Sequence, residues 1–274
     1  MIRISATVPL QYPTIYSPFS PEEFDDALEW SRKNGFCGVE LCISDPAQVQ
    51  ITDLNTKLSK YGLAVSTIST GQARALEGLS LTDEDLSVRE KTVNRIKDHL
   101  RLATKIGLPL VTIGLLRGLG TSNKERDLEY LAQAMDECAA YAQREGVTIV
   151  IEPINRYETT LLNTVDDTLK LITGLCCQEN VGVLFDTFHA NIEEISIAQS
   201  INKLGDKLRH VHFADSDRYL PGQGQIDFSV VVASLQKNNF SGYVSLETLN
   251  LPTKEAIKKE AADCLHRALG YPQS

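Results

Sequence analysis

Eight short β-rich runs, at 2–8, 38–43, 64–70, 108–114, 148–154, 181–188, 208–214 and 243–248, alternate with longer amphipathic segments along the whole chain. Such alternation builds a parallel sheet, because each return to the sheet needs a crossover, usually a helix. Eight repeats is the number that closes a (β/α)8 TIM barrel, α/β in class, with eight parallel strands inside a ring of helices. Several of the runs are nearly unbroken Val, Ile and Leu, the pattern of strands covered on both faces.

Helix punctuation fits the same rhythm. Ser20-Pro21-Glu22-Glu23 supplies an N-cap, a proline at the first helical position and a capping-box glutamate. Thr82-Asp83-Glu84-Asp85 and Thr164-Val165-Asp166-Asp167 read as related starts with acidic first turns. Gly35, Gly62, Gly107 and Gly146 each stand just before a strand, where a left-handed residue closes a helix. No linker or low-complexity tract interrupts the pattern, so a single TIM-barrel domain over 1–274 is expected. An open doubly wound sheet would usually carry a glycine-rich phosphate loop, and neither GxGxxG nor GxxxxGK[ST] occurs.

The formal net charge is −9 with no basic block, which argues against a nucleic-acid partner. No run of about 18 apolar residues is present to span a membrane. The N-terminal residues lack a charged segment followed by an unbroken apolar one. Six cysteines without a CxxC pair, two of them adjacent at Cys176-Cys177, read as reduced thiols. A cytoplasmic protein is the expectation.

Strands five to eight each deliver a metal-ligand residue where a barrel of this kind does its chemistry, at the strands' C-terminal ends. These are Glu152 in IVIEPINRYE, Asp186 in VLFDTFHANIEE, His212 in RHVHFADSDR and Glu247 in YVSLET. They are spaced 34, 26 and 35 residues apart, about one βα unit each, which makes them neighbours around the rim. Strand parity puts Glu152 on a face with Val150 and Ile154, Asp186 with Leu184 and Phe188, and His212 with His210 and Ala214. Carboxylates in apolar strands are costly unless paired or metal-bound. Three carboxylates and one imidazole suit a single divalent ion, Mn²⁺, Mg²⁺ or Co²⁺, better than a structural zinc. His210 is expected one layer below His212 as a buried, hydrogen-bonded histidine. Asp215 and Asp217 are expected to be solvated or supporting. Glu40 receives no role, pocket-facing or loop-orienting.

At these residues the chain resembles a known family. IEPINRYE, LLNT, DTFHANIEE, HVHFADSDR followed by PGQGQIDF, and YVSLE are similar to the metal-dependent ketose 3-epimerases, the D-tagatose and D-psicose 3-epimerases of the xylose-isomerase-like barrel superfamily. The resemblance implies that Glu152, Asp186, His212 and Glu247 bind one metal and that Glu152 and Glu247 are also the catalytic acid–base pair. It implies further that Glu158, His189 and Arg218 contact a small sugar or sugar-acid substrate, and that the chain forms a homodimer or homotetramer. The segment STGQARALEGLSL is similar to a subgroup acting on keto-sugar acids such as 5-keto-L-gluconate. Arg74 and Arg117 are then candidates to pair with a substrate carboxylate, the alternative being exposed, solvated arginines.

The implied chemistry is inversion next to a ketose carbonyl through an enediolate. An aldose–ketose isomerase of the hydroxypyruvate type shares that chemistry and stands as the rival. A nuclease of the endonuclease IV type would need more metal ligands than five histidines, two of them in helical segments, supply. A barrel that only binds a sugar leaves the paired glutamates without a reason.

Overall fold

The computed structural model describes residues 2–271, so the first residue and the last three of the expected domain lie outside it. In chain order the elements are β1 (Arg3–Pro9), α1 (Phe24–Lys33), β2 (Gly38–Cys42), α2 (Ile51–Tyr61), β3 (Ala64–Ser69), α3 (Gly71–Glu77), α4 (Leu86–Ala103), β4 (Leu110–Ile113) and α5 (Lys124–Glu145). There follow β5 (Ile149–Ile151), α6 (Val165–Thr173), β6 (Val181–Asp186), α7 (Thr187–Glu193), α8 (Ile197–Leu204), β7 (Leu208–Phe213), α9 (Phe228–Lys237), β8 (Tyr243–Leu246) and α10 (Lys254–Ala268). The strands pair in sequence order, and β8 returns parallel to β1, closing the expected eight-stranded barrel.

The apolar core lies between strands and helices. Val39, Ile68, Val111, Ile149, Val183, Phe185, Val211 and Val244 pack there with Leu28, Ile96, Met135, Leu235 and Leu265. Inside the barrel the filling is unusually polar for this architecture, whose interior is mostly branched aliphatic. Ser5 Oγ meets Ser245 Oγ at 2.6 Å, and Thr67 Oγ1 meets Thr112 Oγ1 at 2.8 Å. These buried hydroxyls satisfy one another, which is what makes them tolerable away from water.

Helix ends follow local chemistry. Glu23 Oε2 accepts from Ser20 N at 2.8 Å, and Thr164 Oγ1 accepts from Asp167 N at 3.1 Å. Gly62 and Gly146 close α2 and α5 in the left-handed conformation, at φ of 64° and 66°. The second expected start is corrected. Asp85, not Thr82, caps α4 by accepting from Ser87 N at 2.8 Å, because Thr82 is buried in the preceding turn. Strand ends also shift. The sixth stops at Asp186, which caps α7 and puts Phe188 in that helix. Among the described residues no helix is long and apolar enough to cross a membrane.

Candidate active site

Closure of the barrel brings four side chains from four consecutive strand ends together. Glu152 follows β5, its N–H still bonding Ile113 O at 3.2 Å. Asp186 ends β6, His212 lies in β7 opposite it in register, and Glu247 follows β8. One ligand atom from each lies within 4.8 Å of all the others. His212 Nδ1 stands 3.7 Å from Glu152 Oε1, 3.7 Å from Asp186 Oδ2 and 3.4 Å from Glu247 Oε2. An octahedral ion with bonds of about 2.1 Å sets its ligand atoms about 3.0 to 4.2 Å apart, so this cluster needs only slight contraction.

Two further observations show that the donor set fits a cation. Glu152 Oε1 and His212 Nδ1 are buried without a hydrogen-bond partner, which leaves both atoms open to a ligand. Burial, then the charges of Glu247 and Asp186, push Glu152 well above the usual carboxylate range against the pull of His212 and Arg218. Burial also acts against a charge on His212, yet the carboxylates of Glu40 and Glu247 outweigh it and raise the imidazole well above its ordinary value. A divalent ion at Nδ1 would take the place of that proton. Asp186 divides its oxygens: Oδ1 accepts from Phe188 N at 2.7 Å, capping α7, while Oδ2 faces the cluster.

Glu40, which sequence reasoning leaves without a role, is 1 % exposed in the middle of β2. Its Oε2 lies 3.0 Å from His212 Nε2 and 3.1 Å from His210 Nε2. A carboxylate can only accept, so His212 Nε2 carries a proton toward Glu40, and Nδ1 is the nitrogen that an ion would take in exchange for the second proton. Burial alone would raise Glu40, but the two imidazoles bring it well below the usual range. His210 is the expected buried, hydrogen-bonded histidine; its Nε2 also meets Ser245 Oγ at 2.8 Å. The signal for Glu40 was available. A glutamate interrupts the apolar strand GVELC just as Glu152 interrupts IVIEP.

The remaining site residues come from the loops. His189, in the first turn of α7, is 3 % exposed and pushed down to about 4 by burial, so the ring is neutral near pH 7. Arg218 stands at φ 62°, uncommon for a non-glycine residue. Its guanidinium is held between the rings of Tyr16 and Phe188, 4.7 and 4.6 Å from their centroids. Its Nη2 contacts Glu247 Oε2 and lies 3.4 Å from Asp186 Oδ2. Burial opposes the charge, but these two carboxylates hold Arg218 more firmly protonated than in water. Asp215 shapes the loop that carries it, accepting from Ser216 N, Gly222 N and Ile226 N at 2.8 to 3.0 Å. Asp217 only caps Tyr219 N.

Around the cluster lies a cavity of about 340 Å³, whose lining includes Tyr16, Gln72, Leu115, Glu158, His189 and Arg218. That volume is at the small end for ligand pockets. A larger depression of about 600 Å³ at the opposite end of the barrel, lined by Arg3, Leu108 and Tyr243, contains none of the clustered ligands. Chemistry, not size, assigns the site to the smaller one. Gln72 was not anticipated: its Nε2 donates to Tyr12 O at 2.6 Å while its Oε1 is buried without a partner.

Both expectations for the two loop arginines are corrected. Arg117 is neither exposed nor in the cavity. It is fully buried behind β5, donating to the backbone oxygens of Glu152 and Leu162, and burial pushes it down to about 10. Arg74 is half-buried and turns back along α3 to Leu79 O at 3.3 Å, outside the cavity lining.

Comparison with known proteins agrees with this architecture. The model of the xylose isomerase-like TIM barrel family matches residues 28–268. An L-ribulose 3-epimerase from Mesorhizobium japonicum is 31% identical, covering 86% of this chain and 81% of that protein. A 3-dehydro-D-guloside 4-epimerase from Escherichia coli is 27% identical, covering 84% of this chain and 88% of its own length. A solved structure of L-ribulose 3-epimerase superposes with a TM-score of 0.83 at 26% identity, over 98% of this chain and 95% of that one. The chain belongs to the xylose isomerase-like TIM barrel family, within its ketose 3-epimerase branch.

Proposed function

We propose that this carbohydrate epimerase inverts the carbon next to the carbonyl of a ketose or keto-sugar, with Glu152 and Glu247 as its acid–base pair. The observation that carries the reading is their placement. The two glutamates end the outer strands of the four-strand arc, and both reach the atoms shared with Asp186 and His212. Epimerisation needs a proton removed from one face of a carbon and another delivered to the opposite face. One glutamate, as carboxylate, accepts the carbon-bound proton. The other, protonated, supplies its replacement, and the roles exchange in the reverse direction. Glu152, Asp186, His212 and Glu247 would hold a divalent ion, Mn²⁺ by preference and Mg²⁺ or Co²⁺ otherwise, which would supply Lewis acidity at the carbonyl oxygen. His189 and Arg218 hold oxygens that gain charge as the proton leaves, and Glu158 accepts from a sugar hydroxyl.

Glu152→Gln and Glu247→Gln should each lower turnover by at least about 10²-fold while the fold persists, since each removes a proton-transfer group. The substrates of choice are L-ribulose and D-psicose, with circular dichroism as the check on folding. Near-normal rates in either variant would refute the two-carboxylate scheme. In D₂O the product should carry deuterium at the inverted carbon of a ketose. An aldose product would instead identify an isomerase.

A further inference from the structure

The turn after β5 holds a side chain that the catalytic scheme does not use. Asn155 is 1 % exposed. Its Oδ1 accepts from Tyr157 N at 3.0 Å, which decides which end of the amide is oxygen. The nitrogen end therefore has two N–H groups, and two acceptors lie in reach. These are Glu158 Oε1 at 3.0 Å and His189 Nδ1 at 2.7 Å. A ring nitrogen facing an N–H must present a lone pair. The single proton of the neutral imidazole then sits on Nε2, at the other edge of the ring.

That edge faces the site. Nε2 lies 3.9 Å from Glu152 Oε1 and 3.3 Å from Arg218 Nη1. A guanidinium can only donate, so Arg218 Nη1 and the Asn155 amide both face the ring with an N–H, and a neutral imidazole has one lone pair to offer. The Asn155 contact, at 2.7 Å against 3.3 Å, takes it, which leaves Nε2–H and Arg218 as neighbouring donors. Both line the cavity beside the clustered ligands.

We propose that Asn155 is a positioning residue for the epimerisation: it locks His189 as the Nε2–H tautomer and holds Glu158, so that His189 and Arg218 offer paired donors to one substrate oxygen. The inference rests on the reading that His189 meets the sugar. Donors fixed in advance are worth more than donors that must reorient, and losing one of this kind typically costs about 10²-fold in turnover.

The test is a long-range proton–nitrogen correlation spectrum of the full chain, isotope-labelled at its histidine nitrogens and loaded with Mg²⁺. His189 is assigned by the signal missing in His189→Gln. The wild type should show the Nε2–H ring. Asn155→Asp, which puts an acceptor where the amide donor was, should move the proton to Nδ1 and lower kcat about 10²-fold with a smaller change in KM. An Nδ1–H ring in the wild type overturns the proposal, and that measurement does not depend on whether any variant folds. So does an Asn155→Asp protein that keeps the Nε2–H ring. The spectrum needs no turnover. A protein with the expected tautomers but no epimerisation of L-ribulose or D-psicose would contradict the proposed function alone.

Discussion

At the scale of single residues, the site is organised by side chains that fix which nitrogen of a histidine carries its proton. Glu40 does this for His212 through Nε2 at 3.0 Å, leaving Nδ1 for the cluster. Glu40→Gln keeps the shape but offers an N–H that can invert the tautomer, so divalent-metal affinity should fall about 10–100-fold. Titrating Mn²⁺ into metal-free protein, and following the resonance of the free ion, measures that affinity without any turnover. An unchanged dissociation constant would show that His212 needs no such support. The convergence of Glu152, Asp186, His212 and Glu247 was legible because each interrupts an apolar strand near its end, at the spacing of one βα unit. The partners of Glu40 lie 170 and 172 residues away, so its interruption of β2 gains meaning only once the barrel closes. Arg117 misled for a related reason. Whether a loop arginine turns outward or threads behind a strand depends on its neighbours' backbones, here the oxygens of Glu152 and Leu162.

At the scale of elements, periodicity gave the eight strands and local backbone strain moved their ends. The fourth expected strand begins at Leu108, but that residue stands at φ 58°, and the ladder starts only at Leu110. A left-handed conformation costs an L-residue about 1–2 kcal/mol, and glycine escapes it while losing about 0.5–1 kcal/mol of chain entropy. Leu108 is 55 % exposed, so little apolar burial is lost when its side chain is removed. Leu108→Gly should therefore raise the urea midpoint, by up to about 1 kcal/mol of stability. Leu162 makes the contrast. It is also left-handed, at φ 52°, but only 2 % exposed. Leu162→Gly should lower the midpoint, because the buried side chain is worth about 2 kcal/mol or more. If Leu108→Gly also lowered it, contacts and not strain would govern that turn. The start of α4 is set by packing instead: Thr82, Asp83 and Asp85 are all of N-cap type, Thr82 is buried in the preceding turn, and Asp85 caps the helix.

For the molecule as a whole, the outer ring and the barrel are tied together by more than apolar packing, and one tie is sensitive to pH. His99 of α4 is fully buried with its two ring nitrogens 2.9 Å from Arg95 O and Ile43 O. A carbonyl only accepts, so the neutral ring donates to one of them while its side chain packs the helix against the chain just past β2. Burial lowers its pKa, although the two carbonyls favour the charged ring. Above about pH 6.5 the ring is neutral in both the folded and the unfolded chain, and its contribution to stability is complete. As the pH falls below that value, the unfolded chain takes up a proton that the folded chain resists. Stability is therefore lost on the way down to the depressed folded value. One such group changes the unfolding free energy by at most about 1.4 kcal/mol per pH unit, or about 1 kcal/mol between pH 6.5 and 5.5. Glu152 and His212, both raised in the folded protein, act in the opposite sense across this window, and His189 and His210, lowered like His99, act in the same sense, so only a comparison with a variant isolates the ring. Between about pH 7.5 and 5.5 the urea midpoint of the wild type should therefore fall relative to that of His99→Gln. His99→Gln, which cannot titrate, should start lower at about pH 7.5 and close the gap to the wild type on the way down. Other buried histidines titrate alike in both proteins, so the difference between the two curves isolates His99. Parallel curves would mean that the ring is as easily protonated inside the protein as outside it, and that the link between α4 and the barrel carries no pH dependence.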